Sequence, residues 1–180
     1  MAIWQFRLIL LPKRILLREG SILPFSIPMD LAENSKWWAN VQPTVELEQR
    51  IDRILPREDS WSESMRMWGK QDGDDAYVCY TDENKNAIEE IAFRVDARKI
   101  SLELVHQICV LARELECVLM TPEYDILVPD ESSLARAIQC SIAGQYVKDP
   151  ISTLQNLGEP EVQERIKFRM KPPRGSQSEK

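Results

Sequence analysis

The stretch that decides the fold is MWGKQDGDDAYVCYTDE, residues 67–83, in which runs rich in aromatic residues flank the dipeptide Asp72-Gly73. Asp-Gly is typical of a two-residue type I′ turn, because both central residues of that turn adopt positive φ angles. The stretch therefore predicts a β-hairpin with strands over 64–69 and 75–81. We expect the acids beside the glycine to keep the tip of this hairpin solvated.

A third strand is predicted over 88–97, where apolar and charged residues alternate. The apolar positions are Ile91, Phe93, Val95 and Ala97, and the charged positions are Glu90, Arg94, Asp96 and Arg98. A period of two gives a strand one dry face and one wet face. Since short turns connect the three strands, we expect an antiparallel meander whose wet face carries cross-strand ion pairs.

Elements on both sides extend this meander. The sequence predicts a strand over 3–11, a loop over 30–43, a helix over 45–55 begun at Thr44, a helix over 102–115 capped by Ser101, strands over 117–120 and 124–128, and a helix from Asp130 or Ser132 to about Tyr146. We therefore predict a single α+β domain over 1–157. Its antiparallel sheet of about five or six strands should carry the two main helices on one face.

The C-terminal extension, 158–180, differs in composition from the rest of the chain. Its last ten residues, KPPRGSQSEK, contain no apolar residue beyond proline, which predicts disorder. Residues 159–170 are compatible with a short helix, an added strand or a tail, and the sequence leaves these alternatives open.

Composition narrows the class of protein. The chain has 180 residues, of which 43% are hydrophobic and 29% charged, and its net charge is −6. That acidic balance disfavours nucleic-acid binding, which needs clustered Lys and Arg, and is compatible with a basic protein partner. No apolar run reaches the roughly 20 residues of a membrane span, and Arg7 interrupts the apolar N-terminus before it resembles a signal peptide. We expect a cytoplasmic protein that does not associate with a membrane.

Residues suited to catalysis or metal binding are sparse. The four cysteines, Cys79, Cys109, Cys117 and Cys140, form no CxxC pair and are predicted to be small buried hydrophobes in a reducing compartment. His106 lies away from the apolar stripe of its helix, so we expect an exposed side chain. If residues 72–83 are read as a calcium loop, Ala76 and Tyr77 occupy positions that require an oxygen ligand and a glycine. We predict no catalytic residue, no metal and no cofactor.

The acids of the hairpin are the first candidate binding site. Between Lys70 and Glu90 the chain has seven acids and two lysines. Such an excess steers basic partners, which predicts Asp72, Asp74 and Asp75 as contact residues. The dipeptide Trp37-Trp38 has two readings: the loop plugs one end of the core, or its rings stay accessible as binding anchors.

The wet face of the third strand is the alternative site. Glu90, Arg94 and Asp96 could line a polar pocket for a small molecule or a reaction. A deep pocket with convergent polar groups would favour this reading, whereas a flat acidic surface with exposed aromatic rings would favour protein binding.

A resemblance supports the binding reading. The segments WQFRLILLP (4–12), SW (60–61), WGKQDGDD (68–75), IEEIAFRVDAR (88–98) and ELVHQICVLARELECVLMTPE (103–123) resemble a set of small uncharacterised bacterial proteins over roughly residues 1–150. In being small, acidic and poor in motifs, the chain is also similar to the immunity proteins of bacterial toxin systems. That likeness implies a non-catalytic interaction protein, more plausibly than an enzyme, and transfers no functional residue.

Overall fold

The computed structural model describes residues 2–17, 22–43 and 46–157. Within them, seven strands form one sheet in the order β2-β3-β4-β5-β1-β6-β7, and every neighbouring pair is antiparallel. The strands are β1 (Gln5–Pro12), β2 (Arg57–Glu58), β3 (Met65–Gly69), β4 (Asp75–Tyr80), β5 (Ile88–Asp96), β6 (Cys117–Met120) and β7 (Ile126–Leu127). The predicted meander is confirmed as β3-β4-β5. The sheet has more strands than predicted because the two-residue β2 carries no periodic signal of its own.

Seven helices accompany the sheet in the described residues. They are α1 (Lys13–Leu16), α2 (Met29–Asn34), α3 (Leu47–Asp52), α4 (Leu102–Glu114), α5 (Glu131–Cys140), α6 (Ile142–Lys148) and α7 (Pro150–Leu157). Leu104 and Ile108 of α4, together with Leu134 and Ile138 of α5, belong to the same buried cluster as the dry face of β5. The α+β class with two main helices on the sheet is therefore confirmed.

The hairpin forms where predicted, but its turn differs. Pairing runs from Met65 opposite Cys79 to Gly69 opposite Asp75, which leaves a loop over 70–74. The prediction of a type I′ turn at Asp72-Gly73 is wrong, because the positive φ (79°) belongs to Gly69. Gly73 N donates to Lys70 O at 2.9 Å, and Lys70 N donates to Asp74 O at 2.9 Å, so the backbone closes the loop. A Cβ on Gly69 would lie 2.3 Å from Asp74 O, which only glycine avoids.

Two predicted helices have different limits. The helix expected to run to Tyr146 breaks at Ser141, whose extended backbone ends α5 and whose hydroxyl caps α6 by accepting from Gly144 N at 3.2 Å. The periodic pattern of apolar residues did not reveal this break, because a serine can lie on the face of a continuous helix as well as at its cap. The helix expected over 45–55 is the shorter α3, and its predicted start, Thr44, lies outside the described residues, as does the extension 158–180.

The predicted loop over 30–43 was wrong at its start, where α2 forms directly after Pro28. Pro28 is the N-cap, with an extended ψ of 138° and no side-chain cap, so the sequence carried no capping signal for this helix. Behind α2, Trp37 and Trp38 are buried: Trp37 Nε1 donates to Ala32 O at 3.3 Å and Trp38 Nε1 donates to Leu10 O at 3.2 Å. The loop therefore plugs the core, which is the first of the two readings.

The cysteines follow the prediction at three positions of four. Cys79, Cys109 and Cys117 are buried, whereas Cys140 is exposed, so the expectation of burial is wrong there. Cys140 is the last residue of α5, next to the break at Ser141, and its side chain falls outside the buried stripe of Leu134 and Ile138.

Candidate functional site

The charged residues predicted on the wet face of β5 share one face, but the prediction that this face is wet is wrong in part. A second apolar cluster is buried there: Met65, Met67, Tyr77, Cys79 and Ala92. The register places Asp75 of β4 opposite Arg94 of β5, and Arg94 opposite Arg7 of β1, so three charged side chains form one row across three strands. The adjacent row contains Tyr77, Ala92 and Ile9. Five polar residues of this face, which lie in neighbouring rows of the register, are together called the polar row: Arg7, Asp75, Tyr77, Glu90 and Arg94.

Arg7 is held by two partners on this face. Its Nη2 lies 2.6 Å from Glu90 Oε1, and its Nε donates to the hydroxyl of Tyr77 at 2.8 Å. Burial disfavours the charge of Arg7, but attraction to Glu90 and the contact with Tyr77 outweigh it and keep the pKa of Arg7 above its ordinary value. Burial, together with the neighbouring Glu90, raises the pKa of Tyr77, so its hydroxyl stays protonated. Arg7, Tyr77 and Glu90 are therefore joined in one network of charged and polar contacts.

Asp75 occupies an interior position. Its side chain is 1% exposed, and its Oδ1 accepts from Arg94 Nε at 2.6 Å. Gln5 Nε2 lies 3.4 Å from Oδ2 and also donates to Gly73 O at 2.7 Å, which ties the loop to β1. Burial raises the pKa of Asp75 to about 6, against the opposing effect of Arg94 and Gln5. The prediction that this acid solvates the hairpin tip is wrong.

The other acids of the hairpin loop are used in different ways. Asp74 Oδ1 accepts from Asp96 N at 2.7 Å, and partial burial raises the pKa of Asp74. Asp72 is exposed, but its carbonyl accepts from Trp4 Nε1 at 3.2 Å and from Arg98 Nη2 at 2.7 Å. The loop is thus fastened to β1 and to the end of β5, and only Asp72 offers an exposed carboxylate.

Each of the three residues of the alternative pocket has a charged partner in the structure. Glu90 pairs with Arg7, Arg94 pairs with Asp75, and Asp96 accepts from Arg98 Nη2 at 2.7 Å. The hydrogen bond from Arg98 is the main reason that the pKa of Asp96 lies below its ordinary value. The expected cross-strand ion pairs are therefore confirmed as Arg7–Glu90 and Arg94–Asp75.

His106 and the cysteines are the residues suited by type to nucleophilic chemistry. His106 is exposed, as predicted, and its Nδ1 lies 2.7 Å from Glu131 Oε1. Burial raises the pKa of the Cys79, Cys109 and Cys117 thiols, which keeps them in the unreactive protonated form. Among the described residues, no group of His, Cys, Asp and Glu side chains is arranged to hold a metal ion.

An exposed apolar surface, missed in the sequence, lies at the β7 edge of the sheet. Ile27 N donates to Tyr124 O at 2.9 Å and Ile126 N donates to Phe25 O at 2.8 Å, so segment 22–34 lies against segment 121–131. We call these two segments the Phe25 surface. Phe25 is 91% exposed and Ile22 is 90% exposed. The other exposed apolar residues of the two segments are Met29, Leu31 and Val128.

The two segments of this surface are acidic in composition, although Arg113 of α4 donates to Pro129 O at 2.9 Å from outside them. The first segment contains Asp30 and Glu33, the second contains Glu123, Asp125, Asp130 and Glu131, and neither contains Lys or Arg. Glu33 accepts from the Tyr124 hydroxyl at 3.1 Å, which joins the two segments through a side chain. Asp30 and Asp125 are exposed. The sequence signal was the run ILPFSIPM (22–29), in which two prolines impose an extended chain, but apolar side chains there are equally compatible with burial.

Comparison with protein-family models, with curated proteins and with solved structures finds no match to this chain. Within the part of the chain that the structure describes, none of the helices has the length and apolar character needed to cross a bilayer.

Proposed function

We propose that this chain is a non-catalytic interaction protein that binds a basic protein partner through the Phe25 surface. The observation that carries the proposal is the exposure of Phe25 (91%) and Ile22 (90%) beside a sheet edge. Single exposed apolar residues are normal on a protein surface, but an aromatic ring and an aliphatic side chain that are almost wholly exposed three residues apart favour a binding anchor.

The charge around the anchor favours a basic partner. Asp30 and Asp125 are exposed on the two segments that carry the apolar side chains. Aromatic anchors supply most of the binding free energy at such interfaces, whereas charges at the rim steer the encounter and select the partner. A partner that presents an apolar pocket with Lys or Arg at its rim fits both features.

The backbone at this edge favours recognition by side chains over the addition of a strand. Pro24 and Pro28 flank the segment that pairs with Tyr124 and Ile126. Proline lacks the N–H group that a further strand needs, so it protects a sheet edge against extension. We therefore place the partner over the ring of Phe25.

The interior location of the other candidates supports a binding role as well. The side chain of Asp75 is 1% exposed, and Trp37 and Trp38 are buried, so these candidates offer little contact area. Of the hairpin acids, Asp72 alone is exposed. The binding-only role is also the one that the likeness to immunity proteins implies.

The test is capture of partners from the host by the wild-type chain, followed by affinity measurement with Phe25→Ala. The matched control is Trp61→Ala, because Trp61 is also exposed (58%) but precedes β3, towards the opposite edge of the sheet. We expect Phe25→Ala to weaken a basic partner by about 10- to 100-fold, the range of an interface anchor, and Trp61→Ala to leave its affinity unchanged.

The charge component is tested separately. Asp30→Asn combined with Asp125→Asn should lower the association rate and reduce its dependence on salt, because long-range attraction between exposed charges is screened by ions. A captured partner whose affinity survives Phe25→Ala, or whose surface is acidic, would contradict the proposal.

A further inference from the structure

The polar row brings two guanidinium groups face to face, and each is paired with one acid, Arg7 with Glu90 and Arg94 with Asp75. Arg7 and Arg94 are directly opposite each other in the β1–β5 register, on the same face of the sheet. Like charges in that position destabilise a sheet. Where a stable fold keeps such a local conflict, a functional role is a common reason.

The two guanidinium groups are fixed by a shared neighbour. The Cζ atoms of Arg7 and Arg94 lie 5.9 Å and 5.6 Å from the centroid of the Tyr77 ring. Each arginine is also oriented through its Nε, by the Tyr77 hydroxyl and by Asp75 respectively. Both guanidinium groups are therefore held in place beside the Tyr77 ring.

Several N–H donors of this pair have no acceptor in the described part of the chain. Arg94 donates through Nε alone, so both of its terminal amino groups lack a protein acceptor there, and Arg7 uses Nε and Nη2 but not Nη1. The side chains are 13% and 25% exposed. None of these nitrogens is a buried atom without a partner, so they reach solvent.

We infer that Arg7 and Arg94 bind a small oxyanion, a carboxylate or a phosphate, through the terminal amino groups that reach solvent. The two terminal amino groups of an arginine form a planar fork that matches two oxygens of such an anion. Arg94 supplies that fork and Arg7 supplies a third donor through Nη1. Glu90 and Asp75 offset the charges of Arg7 and Arg94. Because the site has little net charge, a spherical ion such as chloride should bind weakly. Selectivity for an oxyanion then comes from the geometry of the fork. This inference is independent of the Phe25 surface.

The experiment follows the arginine Nε–Hε resonances by NMR during titration with inorganic phosphate and, separately, with malonate. Sodium chloride at matched ionic strength is the control. We expect the Arg94 and Arg7 resonances to move with one saturable isotherm in at least one titration, whereas Arg98, which follows the end of β5 and lies over the Trp4 ring, stays in place. Saturation by one anion and not the other identifies the ligand chemistry.

Two variants test the geometry. Arg94→Lys keeps a positive charge beside Asp75 but loses the fork, and it should weaken the saturating anion at least tenfold. Arg98→Gln is the matched control and should leave the affinity unchanged. Shifts that sodium chloride reproduces, no saturation by either anion, or equal affinity in Arg94→Lys and the wild-type chain would overturn the inference.

Discussion

Replacing Gly69 with alanine should destabilise the chain far more than the same change at Gly73. The sequence alone predicts the reverse, because Asp72-Gly73 has the composition of a tight turn. In the structure the positive φ of 79° belongs to Gly69, at the last position of β3. The two glycines therefore form a matched pair that separates the observed loop from the expected one.

The magnitude follows from two effects at Gly69. A non-glycine residue in the left-handed region costs about 1–2 kcal/mol. The added Cβ would also lie 2.3 Å from Asp74 O and 2.9 Å from Asp75 Cα, both backbone atoms that no side-chain rotation can move. Relieving that contact requires opening the hairpin, so we expect a total loss of about 2–4 kcal/mol in the free energy of unfolding. At Gly73 the Cβ would meet its nearest atom, Lys70 Cβ, at 3.7 Å, an ordinary contact.

Urea denaturation measures both variants directly. Gly69→Ala should lower the midpoint with an unchanged slope, which is the signature of a change in stability alone. Gly73→Ala should stay within about 0.5 kcal/mol of the wild-type chain or gain stability through the lower entropy of its unfolded state. The reasoning is refuted if Gly73→Ala is the more damaging change, or if the two variants unfold at the same urea concentration.

Two further predictions concern the interior. Trp38 is 1% exposed and fills the core, so Trp38→Ala should cost about 3–5 kcal/mol in urea unfolding, whereas Trp61→Ala should cost less than about 0.5 kcal/mol; similar losses at both positions would contradict the plug. Burial raises the pKa of Asp75 to about 6 from an ordinary 3.8. Between about pH 4 and pH 6 the folded chain therefore keeps a proton on Asp75 that the unfolded chain has lost. The contribution of Asp75 to stability should fall as the pH rises through this range. Asp75→Asn should remove that slope in urea midpoints measured across this range, and an identical pH profile in the variant would count against the assignment.

The regular parts of the sheet were predictable because period-two alternation is a local property of the sequence. The strands β3, β4 and β5 follow it directly, and the cap of α4 at Ser101 is confirmed by its bond to Leu104 N. The same alternation predicted that Glu90 and Arg94 share one face and that cross-strand ion pairs form there. The pairs are Arg7–Glu90 and Arg94–Asp75.

The site was less predictable because exposure depends on the register between distant segments. Asp75 stands beside exposed loop residues in the sequence, yet the pairing with Arg94 and Gln5 takes it into the interior. Phe25 reads as an ordinary apolar residue between prolines, and only the pairing of its segment with residues 124–126 leaves the ring in solvent. Neither outcome follows from local composition, because each partner lies about 20 to 100 residues away along the chain.

Site-specific photocrosslinking in the native host tests the proposed role of the Phe25 surface most directly. A photoreactive phenylalanine analogue at position 25 is compared with the same analogue at position 72, which represents the hairpin loop. We predict a crosslink from position 25 to a protein segment that contains Lys or Arg, and none from position 72. A crosslink to a partner from position 72 that is absent from position 25 would contradict the assignment of the Phe25 surface and return the binding role to the hairpin acids.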